Sequence, residues 1–217
     1  MTHIATHKPP HNDGQMSDKQ TSQLLDEAIA SFDSETVPLG ALVDVLAERA
    51  FGMVLLVLAL PCAIPFLYGV PQIMSLPMVF VAVQLAAGRR TLWLPQSLRN
   101  RTLKKDSLTD MMNKARPWLR RFERFSRLRL QFMTKRPMEQ VIGLLFILFS
   151  LTIMIPLPLT NTIPGAAIVI ASLGFIERDG ILVFLGTALG TAWVIVLMSL
   201  AGGAAALISD AVNSVGL

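Results

Sequence analysis

Three consecutive ionisable residues, Glu177, Arg178 and Asp179, close an apolar run that begins near Met154 and carries no other charge. An ionisable group held near hydrocarbon is costly and functional by default, so Glu177 and Asp179 are candidates for proton uptake and release. Arg178, with Arg89 and Arg90 at the end of a similar run in the first half, could hold an anionic headgroup or carboxylate. Tyr68 and Gln72 in the first half and Thr160, Asn161 and Thr162 in the second would supply neutral hydrogen bonds to the same solute. A helix starting near Pro164 would point its first N–H groups at an anion. The plainer alternative for Glu177 to Asp179 is a charge cluster that ends a helix at an interface.

The elements that would position these residues are short and broken by proline. Pro156, Pro158 and Pro164 stop one helix and start another, because proline removes a backbone donor and clashes with the preceding turn. The second helix, expected over Ile163 to Ile176, reaches only about 21 Å at roughly 1.5 Å per residue. A hydrocarbon core is about 30 Å thick, so the segment is expected to be re-entrant or buried behind other helices. The alternative is a tight loop at the membrane surface.

Composition points to an integral membrane protein: 53% of the 217 residues are hydrophobic and 16% charged, with a mean hydropathy of +0.55. The N-terminus shows no apolar stretch behind a basic one, so no cleaved signal is expected. Cys62, the only cysteine, excludes an intrachain disulfide or a thiolate metal cluster. Of the 19 lysines and arginines, 15 fall between Arg89 and Arg136 with only Asp106, Asp110 and Glu123 among them. That basic linker is expected to be cytoplasmic and to attract anionic headgroups, and not to bind nucleic acid.

In order, the chain divides into a disordered N-terminus (1–16), an amphipathic helix (17–36), a first hydrophobic hairpin (37–98), the basic linker (99–136), and a second hairpin with a C-terminal membrane helix (137–217). The fold class expected is all-α. Ser17 and Gln20 fit a capping box ahead of a stripe from Leu24 to Phe32. A single helical pattern runs from Leu39 to Pro61, entering from the interface, and Pro61, Pro65, Pro71 and Pro77 then interrupt the apolar run before Met78 to Gly88 carries it back. Ser107 to Met133 reads as an interfacial helix with alternating aromatics and arginines. Gly180 to Ser199 is 20 uncharged residues, enough to span, with a Gly186 and Gly190 pair suited to close helix contact inside the subunit or in a homodimer.

Both hairpins share one grammar: an apolar arm, an Ile-Pro pair (Ile64-Pro65, Ile155-Pro156), a polar bend, a second arm, then charges. The proline-to-charge spacing is 24 residues in the first copy, Pro65 to Arg89, and 21 in the second, Pro156 to Glu177. Such paired, interrupted segments point to a binding site at a repeat interface. Sequence spacing alone leaves open whether the repeat is inverted or parallel.

The pattern ALVDVLAERAFGMVLLVLALPCAIP, Gly88-Arg89-Arg90 with Trp93-Leu94-Pro95, the RPWLRRFER run at 116–124 and IPLPLTNTIPGAAIVIASLGFIERDG at 155–180 resemble the ExoD family of bacterial exopolysaccharide-synthesis membrane proteins. The resemblance covers roughly residues 20–205 and implies a bacterial inner-membrane protein tied to envelope polysaccharide, without a reaction or substrate.

Enzymatic groups are scarce. All three histidines lie in the first eleven residues, and no phosphate loop, GxSxG elbow or HExxH motif occurs. No catalytic residue, cofactor or metal is therefore expected, and the chain reads as a non-enzyme. The leading expectation is a transporter or exporter of a small solute or lipid-linked precursor, its site between the two hairpins. The alternative is a scaffold for polysaccharide-synthesis machinery that binds anionic lipid through the linker.

Overall fold

The computed structural model describes residues 35–67, 69–110, 113–114, 137–155 and 160–215. Of the helix expected over 17–36, residues 17–34 lie outside the described residues, and Thr36 is strand rather than helix because it pairs with Lys104. Of the helix expected over 107–133, residues 107–110 and 113–114 are helical and the rest, like Tyr68, Pro156 and Pro158, lie outside the described residues. A short strand β1 (Thr36–Pro38) leads into α1 (Leu39–Leu46) and α2 (Arg49–Ala59), and a 3-10 turn (Pro61–Ala63) precedes α3 (Val70–Ala86). Then come α4 (Gln96–Arg99), strand β2 (Thr102–Lys104), α5 (Met138–Met154), α6 (Thr162–Glu177) and α7 (Gly180–Val215). Among the described residues the architecture is helical, as expected, apart from one antiparallel ladder that pairs Thr36 with Lys104 and Pro38 with Thr102. The ladder closes because the segments before and after the first hairpin leave the bundle at the same end.

Two sequence expectations are corrected here. The pattern from Leu39 to Pro61 is not one helix, since Ala47 takes a positive φ of 47° and separates α1 from α2. Pro77 does not interrupt the apolar run but sits inside α3. One proline costs a helix a single hydrogen bond, which packing from neighbouring helices offsets. The second hairpin's second arm fits closely, with α6 beginning one residue before and ending one residue after the expected Ile163 to Ile176.

Four arms, α2 and α3 of the first hairpin and α5 and α6 of the second, surround one core that includes Phe51, Leu55, Met78, Phe146 and Ile168. The most extensive packing between hairpins is α3 on α5 and α2 on α6, and α7 lies along α6. Small residues set the separations. A Cβ on Gly143 would collide with the backbone nitrogen of Ala86, and one on Gly52 would lie 2.9 Å from the Ser172 carbonyl oxygen. Gly186 and Gly190 press on Ala167, Ala171 and Phe149 of the same chain, so this pair serves packing inside the subunit.

Contacts at both ends fix how the hairpins lie. Arg178 faces Glu48 at 3.6 Å and Gly88 abuts Gln140, so the open ends of both hairpins meet. Gly165 abuts Cys62 and Ala63, so the bends meet at the other end. Buried positions also recur between the halves. Phe51, Gly52, Leu55, Ala59 and Cys62 match Ile142, Gly143, Phe146, Ser150 and Ile153 at a shift of 91 residues, while Ser75, Met78, Val81, Ala82 and Leu85 match Gly165, Ile168, Ala171, Ser172 and Phe175 at a shift of 90.

The stretch of α7 from Gly180 to Leu207, 28 residues, is long and apolar enough to cross a membrane. Its buried seam runs through Val183, Gly186, Thr187, Gly190 and Val194, and the opposite face exposes Phe184, Leu185, Leu189, Ile195 and Val196. Beyond Ala201 the described side chains of α7 are exposed.

Close approach makes the fold sensitive at Gly143 and tolerant at Gly203, where nothing lies within 4 Å of an added Cβ. Gly143→Leu is expected to destabilise the protein by about 1–3 kcal/mol or more through overpacking. Gly203→Ala should leave stability unchanged or raise it. Thermal unfolding in detergent, followed by size-exclusion chromatography, checks both.

Candidate functional site

The open end of the bundle concentrates several buried polar side chains. Arg49 at the start of α2, Gln84 near the end of α3, Glu139 in the first turn of α5 and Asp179 before α7 are all buried. They collect there because each arm begins or ends with polar residues at the same end, while the middles of the arms are uncharged.

Local backbone chemistry explains several of these positions. The Arg89 N–H donates to the Gln84 carbonyl at 3.2 Å, and the Asp179 N–H donates to the Gly174 carbonyl at 2.8 Å, each closing a helix five residues back. The residue that turns the chain is Gly88 in the first case (φ 69°) and Arg178 in the second (φ 54°). Left-handed backbone costs a non-glycine residue roughly 1–2 kcal/mol, so Arg178 is held there by its surroundings. Its guanidinium reaches Glu48 at 3.6 Å, a partly exposed pair. The Asp179 carboxylate accepts a hydrogen bond from the Ile181 N–H at 2.9 Å and so caps α7.

The bends form a second polar group. Thr160 and Asn161 are buried, and the Thr160 hydroxyl lies 3.4 Å from Asn161 Oδ1. Thr162 begins α6. Gln72 lies in the first turn of α3, where its carbonyl accepts a bond from the Ser75 hydroxyl at 2.7 Å and its buried Oε1 has no partner among the described residues. An arm of 17 residues is about 25 Å long. The structure therefore separates the residues singled out by sequence: Arg89, Arg90, Glu177, Arg178 and Asp179 lie at the open end, and Gln72, Thr160, Asn161 and Thr162 lie at the bends. Arg89 and Arg90 are exposed. Among the described residues, no group of three or more histidine, cysteine, aspartate or glutamate side chains could hold a metal.

Sequence reasoning missed Arg49, Gln84 and Glu139. A signal for one of them was available: Glu48 stands 17 residues before Pro65, Glu139 stands 17 before Pro156, and each is followed four residues later by a glycine.

A family model described as "Exopolysaccharide synthesis, ExoD" matches residues 21–199, which takes in both hairpins and the packed part of α7. The chain belongs to the ExoD family. It is 31% identical over 172 residues to Protein ExoD of Rhizobium meliloti, covering 77% of this chain and 71% of that one. An uncharacterized protein of Synechocystis sp. is 33% identical over 151 residues, covering 68% of this chain and 70% of its own. No solved structure matches. In this ExoD-family chain the polar cluster at the open end lies wholly inside the matched region.

The turn at Arg178 separates a structural role from a chemical one. Arg178→Gly relieves the left-handed strain and gives up a partly exposed ion pair worth about 0–1 kcal/mol, so stability should change by about 1 kcal/mol or less. Asp179→Ala removes the cap of α7 and should cost about 1 kcal/mol. Melting temperatures of the two variants in detergent check the contrast.

Proposed function

We propose that this chain is an integral protein of the bacterial cytoplasmic membrane that moves a small solute or lipid-linked precursor for exopolysaccharide synthesis. The observation that carries this reading is the burial of Arg49, Glu139 and Asp179 at one end of a bundle of apolar arms. Ionisable groups are expensive in such surroundings, and their retention is expected where an ion or solute is handled. The family description supplies the link to exopolysaccharide.

The bundle is built from two copies of one hairpin, related in parallel. The recurrence of buried positions at shifts of 90 and 91 residues supports the repeat, and the meeting of open ends with open ends supports its parallel sense. Arms of about 25 Å are shorter than a hydrocarbon core of about 30 Å, which supports hairpins that enter from the side of the basic linker and turn back within the membrane. Only α7 then crosses.

A second reading, a scaffold that binds anionic lipid, draws on the exposed basic surface that follows α3. The two readings differ in which charges matter. If the chain transports, Arg178→Gly and Glu139→Gln should each lower exopolysaccharide output about tenfold or more, the loss of one charge-assisted contact of about 1.5–3 kcal/mol, with the protein still inserted. If it is a scaffold, neutralising the arginines between Arg116 and Arg129 should have the larger effect. Secreted polysaccharide measured beside membrane levels of each variant decides between them.

A further inference from the structure

The segment after α3 folds back along the helix it has just left. The Trp93 N–H donates to Gln84 Oε1 at 2.7 Å, and Gln84 Nε2 donates to the Trp93 carbonyl at 3.3 Å. One buried amide thus grips both backbone polar groups of Trp93, as a neighbouring strand would. Leu92 is buried in the core and Leu94 packs against it, while the intervening Trp93 ring turns outward and is half exposed. It meets the exposed Phe80 ring edge-on at 5.7 Å.

Phe80 precedes the last residue of α3, Ala86, by about 9 Å along the helix axis, and Arg89 and Arg90 follow just past that end. From Leu85 to Lys105 the chain carries six basic residues and no acidic one. Arginines beyond the helix end, with an exposed indole roughly 10 Å further in, match the order of phosphates and glycerol region in a leaflet.

We infer that Trp93, held by Gln84 and backed by Phe80, is an interfacial anchor for an anionic leaflet, with Arg89 and Arg90 at its phosphates. Gln84 is a positioning residue in this device. The inference rests on the membrane placement proposed above but not on transport.

The test uses the full chain in vesicles containing phosphatidylglycerol, with lipids brominated either near the glycerol or near the acyl-chain middle. Trp118→Phe and Trp193→Phe leave Trp93 as the only tryptophan. Its emission should be blue-shifted and quenched more strongly by the shallow bromines, and Gln84→Ala should lose that preference. Because the first readout keeps Gln84 intact, it stands even where Gln84→Ala misfolds. Red-shifted, unquenched Trp93 emission overturns the anchor. A chain retaining only Trp193 separates the causes: deep quenching of Trp193 beside unquenched Trp93 refutes the anchor alone, whereas no quenching of either refutes the membrane placement as well.

Discussion

Close approach of helix backbones is the constraint on which the rest of this fold depends. Lipid tails are as apolar as leucine, so under the proposed membrane placement the helices gain little from burying apolar side chains and associate through packing at short range. Gly143 against Ala86 and Gly52 against Ser172 bring the two hairpins together at equivalent places. Gly186 and Gly190 do the same for α7. With the backbones this near, the larger side chains of the core, Phe51, Phe146 and Phe149, are fully buried.

The same geometry gathers the polar groups. When both hairpins present their open ends at one side, the charges that terminate their arms are delivered to that side. Part of this polar set serves the turns themselves. Asp179 caps α7, Arg178 turns the chain, and Gln84 grips Trp93. The burial of Arg49 and Glu139 is not accounted for by a turn, and it is there that the functional reading places most weight.

Much of the fold is legible in the sequence because proline and charge mark boundaries chemically. The ends of α6 follow from Pro164 and Glu177, and the two hairpins follow from their Ile-Pro pairs. The break at Ala47 is not legible, since alanine is the best helix former and nothing in the local sequence announces its positive φ. The ladder between Thr36 and Lys104 joins segments far apart in sequence, so no local pattern announces it. The grip of Gln84 on Trp93 depends on the chain reversing at Gly88, and a lone glutamine in an apolar helix carries no sign of that. For the candidate site, charge at the ends of the arms is written in the sequence, whereas the distance from Arg178 to Thr160 and Asn161 is set by the length of α6 and emerges only from the packed bundle.

The parallel placement of the hairpins is the central claim, and side-specific labelling tests it most directly. Single cysteines replacing Glu48 and Gln140, in a Cys62→Ser background, would be probed with an impermeant maleimide in intact cells and in inverted vesicles. The account predicts that both positions label only in inverted vesicles, on the side of the basic linker. Labelling of one from the inside and the other from the outside would contradict it and make the repeat inverted.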